Sequence, residues 1–164
     1  MAQARHNTIV IAMQSTFDLR EAIAEDEEFV LRLEELSLRK LSEMKYGRFV
    51  PRPGMGDEFP VNCRIIQYEN ADVGCLTVST QGDCIHIDQL YLVPDVHGRG
   101  IGRQVIDDLV SQAAKRGQRL QATSMANGGA SGFFLAVGFH VVSETSKTIT
   151  MEWPVQLKSA SLAG

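Results

Sequence analysis

The chain has 164 residues, 16 basic and 20 acidic, and a net charge of −4 with neutral histidines. That length is most simply one domain with room for a sizeable core. An acidic balance without a Lys/Arg cluster argues against a general nucleic-acid binder. No apolar run approaches the roughly 20 residues of a membrane span, and no C-x-x-C or Cys/His spacing calls for a metal. The three cysteines, Cys63, Cys75 and Cys84, lie in apolar runs. An odd number of such thiols reads as small reduced core residues of a cytoplasmic protein.

Residues 1–15 read as an N-terminal extension or an extra edge strand built on the apolar stretch 8–13, and Met13 offers an internal start. Up to Asp18 there is no acid, and Arg5 gives a weak likeness to a transit peptide, but no clear cleavage site follows. The domain proper spans 16–153, and 154–164 form a C-terminal tail.

Within the domain, alternation predicts a strand over 17–22. Glu25, Asp26, Glu27 and Glu28 then supply the acids that a helix start favours, and Phe29, Leu33 and Leu36 carry the helix to about Met44. Gly47, Pro51, Pro53, Gly54, Gly56 and Pro60 make 46–60 a loop with room for a short helix. Runs at 61–68, 73–80 and 84–93, joined by turn residues at 69–72 and 81–83, predict an antiparallel meander. A helix over 101–116 follows, with Ile101, Val105, Leu109 and Ala113 on one stripe and Gly117 past its end. A strand over 119–124, a short helix over 130–136 and a closing pair at 139–142 and 148–153 complete a mixed α/β (α+β type) domain.

The most informative stretch is His97-Gly98-Arg99-Gly100-Ile101-Gly102, between an apolar run ending at Pro94 and an amphipathic helix pattern. Glycines let backbone approach an oxyanion, and the first amides of a helix are unpaired donors at the positive end of its dipole. The stretch therefore reads as a cradle for a pyrophosphate-bearing cofactor. Gly98, Gly100 and Gly102 alternate as G-x-G-x-G, which is not the dinucleotide fingerprint G-x-G-x-x-G, and no Walker A loop is present.

From about Leu19 to Trp153 the sequence resembles the GNAT superfamily of N-acetyltransferases. The resemblance rests on Leu90-Tyr91-Leu92-Val93-Pro94, on Gly100-x-Gly102 from the superfamily's [Q/R]-x-x-G-x-[G/A], and on Asn127 followed by F-L-A-V-G-F at 134–139. His97 departs from the usual Gln or Arg. The resemblance implies a mostly antiparallel sheet of six to seven strands with about four helices, whose fourth and fifth strands splay apart. It also implies acetyl-CoA as co-substrate and no metal. The pyrophosphate would lie on Gly98, Gly100, Ile101 and Gly102, with Arg99 and Arg103 touching phosphate or belonging to a solvated helix start. The pantetheine arm would pair with Leu90, Tyr91 and Leu92. Asn127 would bond that arm or cap the short helix. Phe134, also on the cofactor side, stands where many members carry the tyrosine that protonates the leaving thiolate, and it has no acidic proton.

Transfer to an amine requires a deprotonated nucleophile, since alkyl ammonium groups titrate at about 10.4. His86 falls where histone-type members carry a glutamate base, and imidazole titrates at about 6.5. Asp88, acting through water or orienting His86, is the second candidate. In a regular strand both share a face with Leu90 and Leu92. The acids of the first helix would attract a cationic small amine as acceptor or, as the plainer account, simply form a solvated helix face. A protein amine remains an alternative, as do a non-catalytic acyl-CoA-binding module and a homodimer paired through residues 8–13.

Overall fold

The computed structural model describes residues 16–48, 59, 61–126 and 129–154. The expected extension, most of the 46–60 loop, Asn127 and nearly all of the tail lie outside these residues. Seven strands form one sheet in the order β1-β2-β3-β4-β5-β7-β6. They are β1 (Phe17–Glu21), β2 (Cys63–Tyr68), β3 (Ala71–Gln81), β4 (Cys84–Leu92), β5 (Arg119–Met125), β6 (His140–Glu144) and β7 (Thr148–Glu152). Every neighbouring pair is antiparallel except β4 and β5. A parallel pair cannot be closed by a hairpin, and the helix α2 (Ile101–Arg116) supplies the crossover.

The meander follows the sequence closely. Glu69 and Asn70 alone turn β2 into β3, both at positive φ, the geometry of a two-residue type I′ hairpin. Ala71 and Asp72, expected in the turn, therefore already belong to β3. The closing strands pair with each other as expected, but β7 inserts between β5 and β6. The sheet thus ends on a β6 whose residues are all exposed.

One side of the sheet packs under α2 and α3 (Ala130–Val137). Ile101, Val105, Ile106 and Leu109 of α2 meet Ile85, Ile87, Leu120, Ala122 and Met151. The stripe expected on α2 is the buried one, and Gly117 ends that helix in the left-handed region. The other side packs under α1 (Glu27–Tyr46), where Val30 and Leu33 meet Cys63, Ile65 and Cys75. Here the buried stripe is rotated from the expected one: Val30 is 0% exposed, whereas Leu36 is 55% exposed. Val30, Leu33 and Glu34 share a face at helical spacing, and that rotation carries Leu36 outward. Three α-helices stand among the described residues, beside two single-turn 3-10 helices, Ala24–Asp26 and Pro94–Val96. No described helix is long and apolar enough to cross a membrane.

The three cysteines are buried and unbridged. Burial pushes the Cys75 thiol up to about 12. Of the four acids at the start of α1, Asp26 carries the structural load. Its carboxylate accepts from Arg20 through both oxygens at 2.8 Å and from the Ile23 amide at 2.8 Å. Arg20 also reaches Asp72 at 2.9 Å, so β1, β3 and the helix entrance share one guanidinium.

Arg20 holds the Asp26 and Asp72 carboxyls below the usual range. A depressed carboxyl stabilises the fold above its unfolded titration point, at about pH 4, and loses that contribution as pH falls through its folded value. Asp26→Asn should therefore cost about 1–3 kcal/mol at pH 7. The gap from wild type should shrink by pH 3 in urea unfolding curves taken at both values, and an equal gap at both would refute this account.

Candidate active site

The glycine turn before α2 has the backbone geometry that a phosphate cradle requires. Gly98 and Gly100 stand at φ +77° and +80°, where a side chain is strained, and a Cβ at either would meet nothing within 4 Å. Backbone there is both left-handed and open to a ligand. Gly100 precedes α2 without a side-chain cap, and the first turn holds no acid. The amides of Ile101, Gly102 and Arg103 therefore lack both intrahelical acceptors and a competing carboxylate. Gly102 serves packing, since its Cβ would stand 3.2 Å from the Phe133 ring. Arg99 and Arg103 are exposed beside the cradle. His97 Nε2 donates to the Leu92 carbonyl at 2.9 Å, tying the turn to the end of β4.

β4 and β5 pair only from Cys84↔Arg119 to Ile87↔Ala122. Beyond that point β4 runs on to Leu92 and β5 to Met125 unpaired with each other, which is the expected splay. Backbone groups on this edge of β4, along Asp88 to Leu92, face the gap without a β5 partner. Inside the same stretch of β5, Ser124 is 8% exposed and its hydroxyl is buried with no hydrogen-bond partner. The unpaired edge of β4 fits the amide-bearing arm of a coenzyme A thioester.

The expected alternation along β4 fails at one residue. Thr77 opposes Gln89 and Val78 opposes Ile87, so Asp88 is the extra residue of a β-bulge. A bulge reverses which face later residues take. Ile85, Ile87, Leu90 and Leu92 all pack on the α2 side, while Tyr91 packs on the α1 side. His86 and Asp88 thus stand on the face opposite Leu90 and Leu92, contrary to the regular-strand expectation.

The two side chains still meet. His86 Nδ1 lies 2.9 Å from Asp88 Oδ1, and Ser79 Oγ donates to the same oxygen at 3.1 Å. His86 Nε2 lies 3.1 Å from Thr123 Oγ1 on β5, which lies 3.2 Å from Thr150 Oγ1 on β7. A polar line thus crosses β3, β4, β5 and β7 at the fork of the splay. Thr123, Thr150 and Ser79 were not singled out from sequence. Alternation on β5 already sets Arg119, Gln121 and Thr123 on one face, but their meeting with His86 depends on strand register.

Of these groups Ser79, His86 and Asp88 border an open cleft of about 440 Å³, which Gln81 of β3, Cys84 of β4, and Arg119 and Gln121 of β5 complete. Arg119 is engaged by Asp83 at 3.2 Å and Glu152 at 3.5 Å, and it holds the Asp83 carboxyl below the usual range. With Asp88, the cleft and its rim carry three carboxylates against one guanidinium.

Phe134 lies in the core, 7% exposed, with ring centroids 5.3 Å from Phe133 and 5.1 Å from Phe139. The partly buried Phe133, one residue earlier, is the ring over the start of α2.

The model of the acetyltransferase (GNAT) family matches residues 22–139. Among proteins of curated function, none matches the sequence. The fold is similar to that of the PaiA N-acetyltransferase of Thermoplasma acidophilum in complex with coenzyme A, at TM-score 0.63 and 15% identity over 84% of this chain and 98% of that one. It is also similar to the ribosomal-protein-S18-alanine N-acetyltransferase of Escherichia coli, at TM-score 0.59 and 14% identity over 90% and 99%. A third likeness is to the N-acetylglutamate synthase of Neisseria gonorrhoeae complexed with coenzyme A and L-arginine, at TM-score 0.64 and 17% identity over 87% of this chain and 34% of that one. With the family model covering strands β2 to β5 and all three described α-helices, the chain belongs to the GNAT family of acetyl-CoA-dependent N-acetyltransferases.

Proposed function

We propose that this protein moves an acetyl group from acetyl-CoA directly to a small cationic amine, with His86 as general base. The observation that carries the reading is His86 at the fork of the splayed strands, held at 2.9 Å by Asp88 and lining the polar cleft. In this reading the pyrophosphate rests on the amides from Gly98 to Arg103, with Arg99 and Arg103 beside it. The pantetheine arm lies along Leu90, Tyr91 and Leu92. Its thioester then ends at the bulge, where His86 faces the cleft.

Chemistry follows from that placement. Asp88 accepts from Nδ1–H, which orients the ring and leaves Nε2 as the basic atom. The deprotonated amine attacks the thioester carbonyl, and the tetrahedral adduct expels the thiolate. No nucleophilic cysteine competes, because Cys84, the cysteine of the cleft, is buried and its thiol is pushed up by that burial. The excess of carboxylates at the cleft favours a cation over an anionic acceptor. Arg119, already engaged twice, supports this preference by being spoken for as a carboxylate receptor.

Isothermal titration should give micromolar acetyl-CoA binding with NADH silent. Gly100→Ala should weaken that binding about tenfold, since the αL backbone costs a non-glycine residue about 1–2 kcal/mol. Unaltered affinity in a folded Gly100→Ala protein would remove the cradle assignment.

His86→Ala should lower thiol release with a polyamine acceptor by about 10²–10⁴-fold while leaving acetyl-CoA affinity intact. Unchanged rates sink His86 as base. Turnover confined to protein N-termini or lysines, with polyamines, amino acids and aminoglycosides silent, overturns the small-amine assignment.

A further inference from the structure

We propose that Thr123 is the hydroxyl through which protons pass between the acceptor amine and His86, and that the same pair returns the proton to the leaving thiolate. The proposal rests on the acetyltransfer reading above.

The direction of every hydrogen bond in the line is set from one end. A carboxylate only accepts, so Asp88 Oδ1 takes hydrogens from Ser79 Oγ at 3.1 Å and from His86 Nδ1 at 2.9 Å. A neutral imidazole with its hydrogen on Nδ1 has a lone pair on Nε2. Thr123 Oγ1, 3.1 Å away, must then be the donor. Having spent its one hydrogen, Thr123 can only accept from Thr150, 3.2 Å away. One lone pair of the Thr123 oxygen is left over, on an exposed residue.

The basic atom is therefore capped. An amine reaches the Nε2 lone pair either by pushing Thr123 aside or through its hydroxyl. Position favours the second route. Thr123 is the first β5 residue beyond the last parallel pair, Ile87↔Ala122, where the strands part. It bridges the side of the cleft to the mouth of the gap.

The step balances without another reagent. The acceptor's ammonium group first gives up one proton to bulk water. As the resulting neutral amine attacks the thioester carbonyl, its N–H bond breaks and the proton joins Thr123 Oγ1, while the Thr123 hydrogen moves to His86 Nε2. The imidazolium so formed sits against Asp88. When the carbon–sulfur bond breaks, Nε2 returns a proton through Thr123 to the thiolate, giving free thiol, amide and the starting relay. One pair thus serves as base and then as acid, in a chain whose Phe134 offers no phenol.

The test uses the full chain with acetyl-CoA and spermidine, reading thiol release, together with ¹⁵N NMR of the His86 ring. Wild type should show the Nδ1-protonated tautomer. Thr123→Val, nearly the same shape, should lower kcat about a hundredfold with the KM for acetyl-CoA unmoved. Thr123→Ser should recover most of that rate, and His86→Ala/Thr123→Val should be no slower than His86→Ala alone. Thr123→Ala replaces the valine variant should the latter not fold.

A hydrogen on Nε2 overturns the relay whatever the kinetics. So does wild-type kcat in Thr123→Val, or a serine variant as slow as the valine one. An enzyme that turns over normally with either result loses only the relay. A wild type that releases no thiol with any amine refutes the transferase reading itself, and the relay falls with it.

Discussion

Two parallel strands joined through a helix can open a slot only where their ladder stops, and the β4–β5 ladder stops after four residue pairs. The residues of the proposed site are disposed around that stop. The crossover helix α2 begins beside the far end of β4, so its unpaired amides face the slot from the end where β4 and β5 are open. The backbone of β4 beyond Ile87 lines one side, and Ser124 with its unpartnered hydroxyl sits on the other. A continuous ladder would satisfy those β4 groups internally and leave nothing for a ligand arm to pair with.

The bulge at Asp88 separates two environments on the same strand. Because it reverses alternation, Ile85, Ile87, Leu90 and Leu92 all serve the core under α2, despite their odd spacing. The polar side chains His86 and Asp88 are released to the other face, where β3 and β5 present Ser79, Gln81, Gln121 and Thr123. Cofactor and acceptor would thus approach through different surfaces and meet only at the fork. A regular strand would have driven His86 and Asp88 under α2, where unpaired polar groups are costly.

Much of the fold was legible because local rules and global packing agree. The two-residue Glu69–Asn70 turn, the buried stripe of α2 and the Gly117 stop follow from turn chemistry and helical period alone. The glycine turn before α2 was equally legible, since glycines at positive φ before a helix leave a direct mark. The stripe of α1 was misread because Phe29 and Leu36 also fit a helical period, and only the packing of Val30 on β2 and β3 decides the rotation. The face that carries His86 and Asp88 is hidden from the sequence for a deeper reason. A bulge is a property of a pair of strands, and nothing in the run from Cys84 to Leu92 marks which residue is extra. The same is true of Thr123 and Thr150, ordinary strand residues until register sets them opposite one another and beside His86.

Phe134 illustrates how a missing group constrains the rest. Its ring is held in a run of edge-to-face contacts, Phe133 to Phe134, Phe134 to Phe139, and Phe139 to Trp153, with centroids between 5.1 and 5.6 Å apart. That arrangement anchors α3 against β6 and β7, and a phenol hydroxyl in the same ring position would need a partner inside the core. Under the proposed relay the acid for the thiolate comes from the strands, where backbone pairing fixes each side chain more firmly than a two-turn helix does. In the proposed relay a hydroxyl on β5 meets that need, because its two partners, His86 on β4 and Thr150 on β7, sit on strands whose register is fixed by the core beneath them.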